Sequence, residues 1–264
     1  MAAPPRITAV VTTHNRCEHA VRAVRSVLEQ EPQVVEVFVC DDGSTDHTGY
    51  RFEKWARDEP RLRYHRFDPP RGGPGPGRNL AIEGATGDWI AFLDDDDEWL
   101  PGKIAAQATY LHDTGHDLVA TNAIRTSGSL YFPELEVAFE PTRRELLHVN
   151  PVIISSAVVR RSLLQMIGGF ADFAWLRRGP LDYDTWLRLS DAGARLLVLP
   201  DPLVRYDDPA DDRLSSSALR IQRDLMRIAW RRWLARPYDP LLAEAALRHL
   251  SDTMLVAARS VRRR

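Results

Sequence analysis

Cysteine is scarce in this chain of 264 residues, since Cys17 and Cys40 are its only two. Their spacing fits no metal-binding pattern, and Cys40 falls in a segment patterned as a buried strand. We therefore expect no disulfide scaffold, and we expect the protein to be in a reducing compartment. The segment 1–6 also lacks the pattern of a signal peptide, because a strand-like segment follows at once. We expect a cytoplasmic protein.

Long apolar runs and a strong net charge are also missing. No segment approaches the roughly 18–20 apolar residues of a membrane-spanning helix, and 44% hydrophobic residues is ordinary for a globular protein. The net charge of -2 is unevenly distributed, because residues 216–264 hold 11 basic against 4 acidic residues. The remaining body is acidic and would bind a phosphate backbone poorly, so we expect no nucleic-acid partner.

A dinucleotide-binding fingerprint is absent as well. No G-x-G-x-x-G follows the first predicted strand, and the glycines of residues 72–77 come after the third strand, among prolines. This excludes a Rossmann dinucleotide site as the interpretation of the first βα unit.

Strand and helix patterns alternate through the first hundred residues. Strands are predicted at 7–13, 34–40, 62–67 and 89–93, with helices at 17–29, 48–57 and 78–85. This alternation predicts an α/β fold with a mainly parallel central sheet flanked by helices. Asn15 or Thr13 is expected to cap the first helix.

The later pattern is less regular. It predicts strands at 117–123, 152–159 and 195–199, an antiparallel excursion over 124–140, and helices at 103–114, 142–148, 162–167 and 182–192. Pro200 is expected to end the strand before it. Two helices, at about 217–235 and 239–261, are predicted to form an amphipathic hairpin on the body, with Trp230 and Trp233 as core anchors. A surface for a membrane, an oligomer partner or an acidic acceptor is the alternative use of this basic segment.

The most informative stretch is the acidic run that follows the predicted strand 89–93. Four consecutive carboxylates, Asp94 to Asp97, repel one another and need neutralising charge or water. Mg²⁺ and Mn²⁺ prefer oxygen ligands and use one or two carboxylates together with substrate phosphates. A solvated acidic turn is the alternative, but the carboxyl end of a parallel strand is where open α/β sheets bind ligands.

A second acidic element, DDGSTD at residues 41–46, follows the second predicted strand. It lies beside the end of the first strand. There His14 could stack on the ring of a ligand, while a carboxylate accepts a hydrogen bond from the N–H of a nucleotide base. The alternative is an Asx-type turn that caps a helix.

Four motifs in this order resemble glycosyltransferase family 2, a group of inverting, nucleotide-sugar-dependent enzymes with the Rossmann-like GT-A fold. They are VVTTHNR (10–16), DDGSTD (41–46), GRNLAIEGATGDWIAFLDDDD (77–97), and GGF (168–170) followed by DYDTWLRL (182–189). The resemblance covers residues 6–206.

This resemblance implies roles for the acidic and polar residues. Asp42 would contact the nucleotide base, with Thr12 and His14 in the same pocket, and Asp95 would lie near the donor ribose or the metal. The family's DxD element falls in the acidic run, where Asp96 is the first candidate ligand of Mn²⁺ or Mg²⁺ and Asp94 the second. Arg78 or Arg71, on either side of the glycine-rich loop, would meet the diphosphate.

The resemblance also implies a catalytic base. In many members an acidic pair opens the DYDTWLRL helix, and here Leu181 replaces the first acid while Asp182 keeps the second. The family's histidine near the end of the domain is missing, so Asp207, Asp208 or water would complete the metal shell. Ala229 stands where processive relatives have the glutamine of Q-x-x-R-W, which favours single addition over polymerisation.

The expected protein is thus an inverting, metal-dependent glycosyltransferase that moves a sugar from a nucleoside-diphosphate sugar to an acceptor hydroxyl. The resemblance implies UDP as the nucleotide, with dTDP and GDP as alternatives used in the same family. Residues 1–210 would form the GT-A domain, with a nucleotide half at 1–97 and an acceptor half at 98–210, and 211–264 a helical hairpin. The alternatives are a nucleotidyltransferase, although THNRCEH lacks the glycine- and Lys/Arg-rich stretch of that class, and a non-catalytic nucleotide-sugar-binding subunit. Candidates for the acceptor pocket are residues 124–150 and 170–180, including Tyr131, Phe132, Phe173 and Trp175, which could equally belong to the core; the oligomeric state is open.

Overall fold

The computed structural model describes residues 4–30, 32–112, 114–177, 179–207 and 214–262, with backbone alone for 112, 214–218 and 257–262. In its first half, β1 (Ile7–Thr13), β2 (Val34–Asp41), β3 (Leu62–Arg66) and β4 (Trp89–Asp94) alternate with α1 (Cys17–Leu28), α2 (Thr48–Asp58) and α3 (Gly75–Gly84). These four strands are parallel and lie in the order β3-β2-β1-β4. The predicted parallel arrangement is confirmed.

The second half extends the same sheet. Its elements are β5 (Glu98–Trp99), α4 (Lys103–His112), β6 (Leu118–Arg125), α5 (Arg143–His148), β7 (Val158–Arg160), α6 (Arg161–Met166), α7 (Leu181–Asp191), β8 (Leu196–Tyr206), α8 (Leu214–Ala235) and α9 (Pro240–Arg262). The strand order in the described residues is β3-β2-β1-β4-β7-β6-β8-β5, and β7 and β5 run against their neighbours. The sheet is therefore mixed but mainly parallel.

Strand register brings the chemistry-bearing ends together. Thr12 lies opposite Cys40 on one side and Asp94 on the other, and Thr13 lies opposite Asp41. Because β1, β2 and β4 are parallel, their carboxyl ends share one edge of the sheet, where ligands bind in α/β folds. All seven residues of β1 are buried, so this edge is held rigidly.

Two predicted strands differ from the observed ones. Residues 154–156 form a 3₁₀ turn instead of a strand, because the Ser156 hydroxyl donates to the Ile153 carbonyl at 2.8 Å. The last strand does not end at Pro200 but continues as β8 to Tyr206. Its pairing with β6 shifts register around Asn122, opposite Pro202, and such a bulge accommodates residues that cannot donate to the ladder.

The predicted cap of α1 is also wrong. The first N–H of the helix, that of Cys17, donates to the Asp46 carboxylate at 3.2 Å. Asn15 instead has a φ of 55° and accepts a hydrogen bond from the Thr45 N–H at 2.7 Å. The Thr13 hydroxyl donates to Asp95 at 2.7 Å. Both side chains are thus engaged by the neighbouring strand ends.

The C-terminal helices pack on the body as an amphipathic hairpin, as predicted. Ile228 and Leu242 belong to the same apolar core as Phe92 of β4. Trp233 packs against this core, whereas Trp230 is 40% exposed and does not anchor it. Within the described part of the chain, no helix has both the length and the apolar composition needed to cross a bilayer.

Candidate active site

Two cavities meet at the carboxyl edge of the sheet and share Asp94 and Asp96. The first has a volume of about 630 Å³ and is lined by Thr12, Thr13, His14, Arg16, Cys40, Asp42, Phe67, Pro70, Gly72, Gly73, Pro74, Gly77 and Asp94 to Asp96. The second has a volume of about 340 Å³ and is lined by Asp94, Asp96, Asp97, Tyr131, Phe132, Asn150, Val152, Ile153, Ile154, Asp182, Tyr206 and Asp207. The acidic run therefore forms the boundary between two compartments.

The two consecutive aspartates at the end of β2 have different structural roles. Asp41 is fully buried and accepts hydrogen bonds from the Ser44 hydroxyl (2.6 Å) and the Tyr64 hydroxyl (2.6 Å), which fixes the turn. Asp42 faces the first cavity, and its carboxylate accepts three backbone N–H groups, those of residues 71, 72 and 73, at 2.5–2.9 Å. Asp42 thus holds the glycine-rich loop as a wall of the cavity and keeps one carboxylate lone-pair site free.

The glycine-rich loop approaches other backbone closely. A Cβ on Gly73 would lie 2.3 Å from the carbonyl oxygen of Arg177, so the close packing of these segments requires glycine there. The Arg177 side chain in turn donates to the carbonyl of Arg71 at 3.0 Å. At the opposite wall, His14 donates from Nδ1 to the Asp42 carbonyl at 2.8 Å.

Two arginines neutralise part of the acidic run. Arg16 bridges Asp95 (3.2 Å) and Asp96 (2.6 Å). Arg78 is 4% exposed, lines neither cavity and donates to Asp94 at 2.6 Å. The structure therefore places Arg78 beneath Asp94, as a support for that carboxylate.

Burial and crowding change the proton affinity of the inner carboxylates. Burial raises the pKa of Asp95 to about 6, with Asp96 and Asp94 adding to the rise and the Thr13 hydroxyl opposing it. Burial likewise raises the pKa of Asp97 to about 8. Like charges in a poorly solvated site resist ionisation, so additional positive charge at this edge would be favourable.

The side chains at the shared edge suit a cation that also binds substrate phosphates. In the described residues no three His, Cys, Asp or Glu side chains converge into a complete metal cage. Asp94 and Asp96 are each about one-third exposed and border both cavities, which matches the one or two carboxylates that Mg²⁺ or Mn²⁺ uses beside a phosphate ligand. Of the two proposed substitutes for histidine, Asp207 lines the second cavity, and Asp208 lies outside the described residues.

Asp182 lies in the first turn of α7 and faces the second cavity. Asn150 donates from Nδ2 to its carboxylate at 3.0 Å, and Asn150 Oδ1 accepts the Val152 N–H at 3.1 Å, which fixes the amide orientation. Burial raises the pKa of Asp182, while Arg78 and Asn150 partly oppose this rise. A carboxylate with a raised pKa accepts a proton more readily near neutral pH.

The sequence did not single out Asn150 or Arg16 as site residues. Arg16 belongs to the VVTTHNR segment, so its place after β1 was a usable signal. Asn150 lies at the end of the candidate acceptor range 124–150 but belongs to none of the four motifs. The candidate acceptor aromatics divide into two groups. Tyr131 and Phe132 line the second cavity, but Phe173 and Trp175 stack on each other, with ring centroids 6.0 Å apart, and line neither cavity.

Comparison with known proteins identifies one family. A sequence model described as Glycosyl transferase family 2 matches residues 8–182. A GalNAc(5)-diNAcBac-PP-undecaprenol beta-1,3-glucosyltransferase of Campylobacter jejuni is 31% identical over 120 residues, which are 44% of this chain and 39% of that protein. The succinoglycan biosynthesis protein ExoU of Rhizobium meliloti is 31% identical to this chain. The matched segment covers 72% of this chain and 55% of ExoU. This chain thus spans less than two thirds of either relative.

Solved structures share the fold. The mannosyltransferase PcManGT of Pyrobaculum calidifontis, in complex with GDP-Man and Mn²⁺, has a TM-score of 0.72 and 23% identity over 98% of this chain and 76% of its own. The S. aureus TarS 1–349 structure with UDP-GlcNAc has a TM-score of 0.71 and 21% identity over 94% of this chain and 72% of its own. Similarity at this level of identity confirms the α/β GT-A architecture and no more.

Proposed function

The chain belongs to glycosyltransferase family 2, and we propose that it moves a sugar from a nucleoside-diphosphate donor to an acceptor hydroxyl with inversion at the anomeric carbon. The observation that carries this proposal is the pair of cavities divided by Asp94 and Asp96, with Asp182 on the far side. A donor and an acceptor in these compartments would meet at the acidic edge.

The first cavity suits the nucleotide diphosphate. Asp42 offers an acceptor for a base N–H, and the imidazole of His14 and the hydroxyl of Thr12 line the same space. Arg16 places a positive charge beside Asp96, where a diphosphate would carry its negative charge. We propose a uridine donor, as in the TarS complex, with the GDP-Man of PcManGT as the competing precedent.

The second cavity suits the acceptor. Asp182 would take the proton of the acceptor hydroxyl as its oxygen attacks the anomeric carbon, while the bond to the diphosphate breaks from the opposite face. Asn150 holds the Asp182 carboxylate for this role. A divalent cation held by Asp94 and Asp96 would supply charge stabilisation for the departing diphosphate. A single displacement at the anomeric carbon inverts its configuration, and Ala229 in place of the glutamine of processive relatives favours a single addition.

Thermal denaturation with candidate donors tests the proposal. A UDP-sugar at about 100 times its Kd, with Mn²⁺, is expected to raise Tm by about 5–10 °C, because the stabilisation grows as RT ln(1 + [L]/Kd). UDP-sugar without metal should give a smaller shift. Absence of stabilisation by any nucleotide sugar would contradict the proposal, and release of pyrophosphate from a nucleoside triphosphate would favour a nucleotidyltransferase.

The pH dependence of kcat/KM provides a test of the base and of Asn150. Asp182 must be ionised to act, so kcat/KM is expected to fall as the pH drops through its raised pKa. The Asn150 N–H stabilises the ionised form, so Asn150→Ala should raise this pKa further and move the acidic limb upward by about 1–2 pH units. A variant that loses activity without moving the limb would show that Asn150 does not tune Asp182.

A further inference from the structure

The outward face of the α8–α9 hairpin combines exposed apolar side chains from both helices. Trp230 and Leu234 lie one turn apart on α8, and Leu247, Leu250 and Met254 recur at helical spacing on α9. All are exposed, Leu247 by 64% and Met254 by 65%. Exposed apolar side chains grouped on two neighbouring helices usually mark an interaction site.

The two apolar rows form one surface because the helices are antiparallel neighbours. The Thr253 hydroxyl donates to the Gln222 carbonyl at 3.2 Å, which sets Trp230 across from the turn that carries Leu247. A groove of about 630 Å³ lies on this surface, lined by Trp175, Met226, Arg227, Trp230, Arg231 and Leu250. Its walls are therefore apolar and aromatic, with two arginines.

The arginines of this groove are held in place by aromatic rings. The Arg231 guanidinium lies 3.9 Å from the centroid of Phe173, and that of Arg227 lies 5.7 Å from the centroid of Trp175. Arg227 also pairs with the buried Asp224 at 3.3 Å but remains partly exposed. This stacking orders the cations at the edge of the apolar surface and leaves N–H groups for an anion.

We propose that this face of α8 and α9 binds the surface of an anionic lipid bilayer. Trp230, Leu247 and their neighbours would enter the boundary between headgroups and acyl chains, and Arg227 and Arg231 would contact lipid phosphates. Aromatic and aliphatic side chains beside arginines are the combination that interfacial helices use. The charge of residues 216–264, 11 basic against 4 acidic, acts in the same direction.

A second copy of this chain is a poorer occupant of the same face. A symmetric dimer would place Arg227 and Arg231 of one copy against the same surface of its partner, and their like charges would oppose association. The phosphates of an anionic bilayer instead complement them. This inference goes beyond glycosyl transfer, and lipid binding can be measured without donor or metal.

Flotation of the full chain with vesicles tests the inference. Binding to phosphatidylglycerol-containing vesicles is expected, with little binding to pure phosphatidylcholine and loss at high salt. Trp230→Ser with Leu247→Ser should lower the partition coefficient by more than roughly tenfold, because both exposed side chains lose their apolar contact with lipid. Arg227→Gln with Arg231→Gln should lower it roughly 25-fold on anionic vesicles, at about fivefold for each charge.

Matched controls are available on other surfaces. Tyr50 and Val137 are exposed apolar residues outside the hairpin, so Tyr50→Ser and Val137→Ser should leave vesicle binding unchanged. Equal binding to neutral and anionic vesicles, or no effect of the hairpin substitutions, would overturn the inference. The inference would also be overturned if the wild-type chain does not bind vesicles and instead sediments as a dimer that Trp230→Ser dissociates.

Discussion

Replacement of Asp182 by asparagine is expected to lower kcat by a factor of about 10²–10⁴ while leaving donor binding in place. The amide has the shape of the carboxylate and can still accept the hydrogen bond from Asn150, but it cannot take a proton from the acceptor. Because Asp182 lines the second cavity and not the first, where we propose that the donor binds, the stabilisation by UDP-sugar and Mn²⁺ should persist. Steady-state transfer rates and donor-induced shifts in Tm measure the two effects separately.

Asp184 is the matched control for this substitution. It lies in the same first turn of α7 but lines neither cavity, and it pairs with Arg188 at 2.9 Å. Asp184→Asn should therefore retain kcat within a small factor. Full turnover in Asp182→Asn, or an equal loss in both variants, would show that Asp182 is not the base.

Substitution of Asp96 by alanine should affect donor binding as well as turnover. Its carboxylate borders both cavities and is the first candidate metal ligand, so its loss is expected to lower kcat/KM by about 10²–10³-fold. The part of the Tm shift that depends on Mn²⁺ should disappear, whereas in Asp182→Asn it should remain. Arg16 would also lose its 2.6 Å partner and keep only Asp95.

Glu98 provides the control for Asp96. It is two residues further along, it lines neither cavity, and it pairs with Arg22 at 3.6 Å. Glu98→Ala removes the same charge from the same segment and should leave the metal-dependent shift intact. An Asp96→Ala variant that keeps this shift would assign the metal to other ligands.

The fold was largely predictable because its signals are local. Buried strands of β-branched residues alternate with amphipathic helices in β1 to β4, and their parallel arrangement follows from that alternation. The acidic run could be placed at the ligand-binding edge for the same reason, since the strand before it ends there. The local sequence pattern is sufficient to predict a helix or strand whose formation depends on its own residues.

The wrong cap of α1, the wrong end of the last strand and the missed partner of Asp182 each involve contacts between residues far apart in sequence. Asn15 looks like a helix cap, but its side chain accepts from the N–H of Thr45, thirty residues away. Pro200 looks like the end of a strand, but the pairing passes from Thr121–Leu199 directly to Asn122–Pro202, so Pro200 falls among the extra residues of β8 at a bulge. Asn150 could not be linked to Asp182, because 32 residues separate them.

The attachment of α8 and α9 to α7 makes the last fifty residues a structural part of the catalytic body. Asp191, the last residue of α7, pairs with Arg232 and Arg236 of this segment, and Ile228 and Leu242 complete the core beneath it. A chain truncated before α8 would expose that core to water and release one end of α7. Chimeras that exchange acceptor preference among relatives should therefore transplant both helices together with α7, because a junction at residue 210 would separate α7 from the arginines that pair with its last residue.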